Sequence, residues 1–438
     1  MNYSNKENVT AVSQLSFSQI LKQKDLIKNE IIAGFTAFFA ISYIIIVNPL
    51  ILADAGIPAE LSVFATIFVS TIGCLIMGLW ADAPIILTPG MGVNAFFTYT
   101  IVINMGLSWQ EALAISLLAG LVHMLVAFTR LSAILAKAIP QSLKIGITVG
   151  IGLFLVEIGL EKAQLIQAGT NSIITLGSLQ NPMALLSIFG LLLSLALYLR
   201  KISGGFFIAI VITSIVGYIL HIQNITTSGI SISEIRNYPA LLAQADFTHI
   251  ASIPFALATF SMSMIIVFES MGILEGILPD KSKFKKSFEV SSLMTCASSL
   301  LGTSPTVAAA ESAAGIESGG RTGITAITTA ILFALSTFFI PFLCYIPQAA
   351  IAPVIIITGA IMMQQLQFIE FNDFSEWFPA FLIIVLIPLT GSISVGLAFG
   401  FACYPILKIF IGKPKMIHPI AYGLGVLFII DLVFNAII

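Results

Sequence analysis

GTSPTVAAAESAAGIESGGRTG, residues 302–323, lies between two oily runs, ASSLL at 297–301 and ITAITTAILFALSTFFI at 324–340, and nearly every residue in it is small. It places a carboxylate, Glu311, among alanine, serine and glycine at what its flanks make membrane depth. A charged side chain there costs roughly 2.5 kcal/mol or more on insertion scales, so its presence argues for use. Pro305 has no amide to donate and the glycines weaken helix, so the segment reads as extended up to the proline and helical after it.

A second stretch has the same character. TPGMGVNAFFTYT, from Thr88, also begins with threonine, soon reaches proline, and then runs through small residues to a polar side chain, Asn94. Upstream of each lies a related run: moving AFFAISYIIIVNP, from Ala37, onto ATFSMSMIIVFES, from Ala258, superimposes Ala, Phe, Ser and two Ile and sets Asn48 against Glu269. The chain therefore reads as two related halves.

Composition sets the solvent. A mean hydropathy of +1.04, 58% hydrophobic and 9% charged residues over 438 positions exclude an ordinary soluble domain. With roughly 20 apolar residues per crossing, about 14 spans fit, starting near 31, 62, 85, 110, 139, 183, 205, 253, 287, 304, 322, 349, 376 and 393. With the amino terminus inside, all but Lys162 and Arg236 of the 19 basic residues fall on one face, as the positive-inside bias requires; Lys144 is counted there as a loop residue. The apolar run 417–437 is left unassigned between a further span and an interfacial helix. Seven is odd, so the second half enters the membrane upside down. The expected fold is an all-α polytopic membrane protein with a 7+7 inverted repeat, spans 3 and 10 each broken into a short strand plus a half-helix. Such repeats place their ligand at the midplane, where half-helix amino termini face it.

The polar residues at depth are few. Glu269 lies in MIIVFESMGILEGIL with no basic residue before Lys281, which excludes a salt bridge from its own helix. It can exchange a proton or accept two hydrogen bonds from a ligand's N–H edge; satisfaction by nearby hydroxyls or amides is the alternative, for it and for Glu311. Asn94 either lines the site or caps the half-helix. Phe96 and Phe97 read as packing. Glu275, six positions beyond Glu269, is expected on a different face near the inner interface, and Glu157, Glu161, Asp431 and His123 as interfacial or locally satisfied. Arg321 is expected to anchor the second broken segment at the inner surface. The four cysteines lack disulfide or zinc spacing. GMGVNA matches a dinucleotide fingerprint only loosely and without a βαβ context, and no catalytic pair is evident, so neither a cofactor nor an enzyme is expected.

At PGMGVNAFFTYT (89–100), AIPQSLKIGITVGIGLFLVEIGL (138–160) and LGTSPTVAAAESAAGIESGGRTGITA (301–326) the chain resembles the nucleobase transporters of the second nucleobase:cation symporter class, specifically the azaguanine-type purine permeases for adenine, guanine and hypoxanthine. The resemblance implies a core domain (31–129 and 252–344) moving against a gate domain (130–251 and 345–415), flanked by a cytoplasmic segment (1–30) and an extra apolar segment (416–438). It implies a substrate set of Glu269, Glu311, Asn94, Gly92, Ala95, Thr306, Ala309 and Ala310, with Glu269 and Glu311 also serving proton coupling. The implied partners are a purine nucleobase, the proton and the lipid bilayer, with a homodimer left open and no nucleic acid. The implied place is a bacterial inner membrane, amino terminus in the cytoplasm. In the eighth span the family usually reads Phe-Asp-Thr-hydrophobic-Gly-Thr, where this chain has Phe268, Glu269, Ser270, Met271, Gly272 and Ile273. That departure keeps a second reading open: another small solute, or an anion, on the same fold.

Overall fold

The computed structural model describes residues 24–169, 173–202, 204–222, 232–414 and 417–437, so most of the amino-terminal segment lies outside the described residues. Among them, nine helices are long and apolar enough to cross a membrane, and the protein is a helical, multi-pass membrane protein. The surface agrees with that solvent. Leu192, Ile215, Phe338 and Leu125 are exposed, while Asn48, Asn94, His123 and many serines and threonines are buried.

The chain begins with α1 (Lys24–Ile41) and α2 (Ile44–Asp54), separated by a break at Ser42–Tyr43, and continues with α3 (Ala59–Ile76), β1 (Leu87–Pro89), α4 (Met91–Ala95, extended by wider turns to Asn104) and α5 (Trp109–Phe128). Next come α6 (Leu131–Ala138), α7 (Gln141–Lys162), a hairpin of β2 (Ile166–Ala168) and β3 (Ile174–Leu176), then α8 (Pro182–Leu199) and α9 (Gly205–Ile219). Further on are α10 (Ile253–Ile277), α11 (Phe284–Leu300), β4 (Thr306–Ala308), α12 (Ser312–Glu317), α13 (Gly323–Ser336), α14 (Gln348–Met362), α15 (Phe374–Thr390), α16 (Ile393–Phe410) and α17 (Pro419–Ile437). The unassigned carboxyl-terminal run is thus a helix, and it packs on α16. Helix starts follow local chemistry. Ser108 and Glu111 form a reciprocal capping box at α5, and Ser252, Asp373 and Ser392 cap α10, α15 and α16 by accepting from backbone amides.

Packing divides the helices into two sets. α1 packs on α13, α3 on α13, α5 on α10 and α11, with β1, α4, β4 and α12 among them; α7 packs on α14 and α15, α8 on α14, and α15 on α16. Apolar side chains gain little by meeting each other in lipid, so close backbone approach has to supply the contact. A Cβ on Gly152 would stand 2.7 Å from the Gly359 carbonyl oxygen, and one on Gly359 only 2.3 Å from that of Gly152, so α7 and α14 touch backbone to backbone.

Charged groups are satisfied at the helix ends. Lys408, 2% exposed, lies 2.7 Å from Glu376 and 3.3 Å from Asp373, joining α16 to α15. Arg321 donates through its guanidinium to the carbonyls of Ile316 and Gly320, holding the turn after α12, while its amide donates to Glu30 at 2.9 Å.

Candidate functional site

β1 and β4 are antiparallel neighbours, with Leu87 facing Ala308, Thr88 facing Val307 and Pro89 facing Thr306. The ladder extends one step at each end, since Gly90 donates to the Pro305 carbonyl (3.1 Å) and Ala309 to that of Ile86 (2.9 Å). Backbone without helix is tolerable at this depth only when each group finds a partner inside the protein, and here the two segments partner each other. Asn48 steadies the approach to β4: its amide donates to Thr66 (2.8 Å) and Thr303 (3.0 Å), and Ser304 donates back to its oxygen at 3.2 Å. The residue that the internal repeat sets against Glu269 therefore holds the scaffold rather than the site.

Beside the strand pair lies a cavity of about 440 Å³, inside the roughly 300–1,000 Å³ range of small-molecule sites. One wall consists of Thr88–Gly92, Val307–Glu311 and a face of α10 that includes Phe268, Glu269, Gly272 and Glu275. The other consists of Gln141, Lys144, Ile145 and Thr148 from the start of α7, with Thr358, Ile361 and Met362 from α14 and Gln365 beyond it. The cavity thus runs between the two helix sets.

Glu269 sits against the β1–α4 turn. Cβ atoms built on Gly90 and Gly92 would each come within 3.6 Å of a Glu269 carboxylate oxygen, so glycine keeps the space in front of that group open. Its Oε2 is buried and has no hydrogen-bond partner in the protein. Glu311 is treated differently. Tyr43, at the break between α1 and α2 and fully buried, donates its hydroxyl to Glu311 Oε1. The Tyr43 ring is fixed edge-on against Phe206 of α9, centroids 6.0 Å apart. Two carboxylates therefore face one cavity, one with an oxygen unsatisfied and one clamped through a tyrosine.

Of the residues expected at the site, Glu269, Glu311, Gly92, Ala309 and Ala310 line the cavity. Asn94, Ala95 and Thr306 are not among its lining residues. Asn94 and Ala95 lie further along α4 from that wall, and both are fully buried. Thr306, at the start of β4, is fully buried: its amide donates to Ser298 (3.1 Å), its carbonyl accepts from Thr295 (2.9 Å), and its hydroxyl has no partner in the protein. Asn94 does not cap α4 either, since neither polar atom of its side chain has a partner.

Further positions differ from expectation. Glu275 shares the cavity with Glu269, and Lys144 lies not in a loop but in the first turn of α7, lining the same space within electrostatic reach of Glu275. His123 is fully buried with one ring nitrogen 3.3 Å from Thr295 and the other unpartnered. Tyr43, Thr358, Gln141 and Gln365 were not anticipated. Their signal in the sequence is weak, because each is a single polar residue in an apolar or interfacial run.

The sequence pattern of the Permease family matches residues 28–399. The chain is 42% identical over 381 residues to the nucleobase transporter PlAzg2 of Paenibacillus larvae, covering 86% of this chain and 76% of that protein. It is 37% identical over 426 residues to the guanine/hypoxanthine permease PbuO of Bacillus subtilis, covering 94% of this chain and 98% of that one. Among solved structures, the transmembrane domain of the cyanobacterial bicarbonate transporter BicA superimposes with a TM-score of 0.61 at 17% identity, over 86% of this chain and 97% of that domain, a likeness of fold alone.

Proposed function

The chain belongs to the Permease family, as an azaguanine-type purine permease and not an enzyme, and from that premise we propose that it is a secondary active transporter importing a purine nucleobase, coupled to protons. The observation that supports this most is the cavity with Glu269 and Glu311 on one wall, glycine and alanine backbone between them, and Phe268 beside them. A purine presents a flat apolar face and an edge of N–H donors. Small residues allow the ring to approach the strand backbone, and a carboxylate accepts one or two N–H groups from the edge in charge-assisted hydrogen bonds. Guanine and hypoxanthine, which carry N–H at the six-membered ring, suit this arrangement. An anionic solute does not, because two carboxylates repel it.

In this reading the chain has fourteen spans in two inverted sevens, amino terminus in the cytoplasm of a bacterium and the body in its inner membrane. A core (31–129 and 252–344) rocks against a gate (130–251 and 345–415) around the bound base, with 416–438 outside that scheme. The division of helix packing into two sets, with the cavity between them, supports the motion. Glu269, with an oxygen unpartnered, is the coupling group, and Glu311 holds the base through the oxygen that Tyr43 leaves free.

The test is uptake of labelled hypoxanthine in a strain lacking its own purine transporters, challenged with unlabelled guanine, adenine, xanthine and uracil. Purines should compete and uracil should not; no competition by any of the purines would overturn the reading. Collapse of the proton gradient should stop accumulation, and accumulation that persists would remove the coupling.

Tyr43→Phe keeps the ring against Phe206 and removes only the donor to Glu311. A hydrogen bond to a charged group contributes about 1.5–3 kcal/mol, so KM should rise roughly tenfold or more. The amount of protein in the membrane should not change. An unaltered KM would show that Glu311 needs no such clamp.

A further inference from the structure

The cavity stops short of a cluster that ligand binding does not use. Asp54 ends α2, Lys162 ends α7, and their carboxylate and ammonium meet at 2.6 Å; Tyr99, in the extension of α4, donates to the same oxygen of Asp54 at 2.7 Å. One step inward, the ring of Phe154 on α7 packs edge-on against that of Tyr99, centroids 6.2 Å apart. Asp54 and Tyr99 belong to the helix set that carries Glu269 and Glu311, whereas Lys162 and Phe154 belong to the other. None of the four lines the cavity, whose lining includes Lys144 at the opposite end of α7, and Glu275. From Lys144 to Lys162 the helix rises about 27 Å, close to the full hydrocarbon thickness. The cluster therefore ties the two sets together at the end of α7 opposite the cavity's Lys144.

A second observation concerns the zone between. Asn94 and Thr98 lie in the segment running from Gly92, on the cavity wall, to Tyr99; Glu157 lies on α7 between Phe154 and Lys162. Both polar atoms of Asn94, the Thr98 hydroxyl and one Glu157 carboxylate oxygen are buried without a hydrogen-bond partner. Polar groups left without a partner are expensive, and water that reached them would offset the cost.

We propose that Asp54, Lys162 and Tyr99 form the gate that shuts the far end of the permeation path, and that Asn94, Thr98 and Glu157 line that path when the gate opens. The proposal rests on the alternating-access reading above. Its chemistry suits a switch. The ion pair is partly exposed, so it is weak enough to break in each cycle, while the unpartnered groups behind it favour hydration once it parts. The aromatic contact excludes water while it is closed.

The test uses the full-length transporter with its native cysteines replaced and a single cysteine at Thr98, labelled with a membrane-impermeant maleimide from the side bearing Asp54. With the gate intact the cysteine should react slowly. Asp54→Asn or Lys162→Met should speed labelling about fivefold or more, the range of a modest coupling energy. The exchanged pair, Asp54→Lys with Lys162→Asp, should restore slow labelling, which separates loss of the ion pair from misfolding. Hypoxanthine added to the intact-gate protein should also change the rate. If hypoxanthine changes it and the charge variants do not, the gate is refuted while alternating access stands. If neither changes it, both readings fail.

Discussion

Glu311→Gln is expected to abolish nucleobase uptake while leaving the protein folded in the membrane. Glutamine has the same length and nearly the same volume, so the packing around Ala310 and Ser312 is undisturbed. What changes is hydrogen-bond polarity. In the proposed mode the carboxylate accepts on both oxygens, from Tyr43 on one and from the base on the other; the neutral amide has one accepting atom, and offering it to the base turns its NH2 to the Tyr43 hydroxyl, which must then accept instead of donate. Replacing charge-assisted bonds to the base and to Tyr43 by neutral ones costs about 3 kcal/mol, roughly a hundredfold in affinity. Labelled hypoxanthine uptake, normalised to membrane protein content, checks this. Uptake within twofold of the unaltered protein would move the base to another part of the cavity.

Gly359→Val should be nearly as severe for a different reason. The new Cβ would stand 2.3 Å from the Gly152 carbonyl oxygen and 3.0 Å from the Val156 amide nitrogen. Neither is a flexible side chain that can turn away, so α7 and α14 must separate. Overpacking of this kind costs about 1–3 kcal/mol. The displaced helices carry Lys144, Thr148, Thr358 and Ile361 to the cavity, so uptake should fall with stability. Thermal unfolding of the detergent-solubilised protein reads the first effect and tracer uptake the second. Gly423→Ala, where an added Cβ meets nothing within 4 Å, is the comparison that should leave both close to normal.

The class of protein was legible because it depends on composition and on long apolar runs, which are properties of single segments. Pro89 and Pro305 are visible in the same way, as residues with no amide for a helix. That Thr88 lies beside Val307 is a contact across the two halves, and no local signal carries it. Of the candidate site, the two acids on the cavity wall were legible, because an acid in an apolar run is costly wherever it points, hence Glu269 and Glu311. Tyr43 was not, because its hydroxyl matters only through a partner 268 positions away. Asn94 and Thr306 are polar and next to a break, yet neither lines the cavity, and no local signal says which wall a side chain near a break will meet. Glu275 and Lys144 were assigned by sequence distance to a membrane surface, and the cavity extends far enough to include them.

The pairing of residues 87–89 with 306–308 also bears on biogenesis. A nascent chain that has emerged only to the end of α11 has its first strand in the bilayer with no mate. Those amides and carbonyls must then be sheltered by the insertion machinery or by neighbouring helices until the last third of the polypeptide arrives. A fragment ending near residue 300 should accordingly be a substrate for membrane proteases, and its co-expression with the remainder should rescue it.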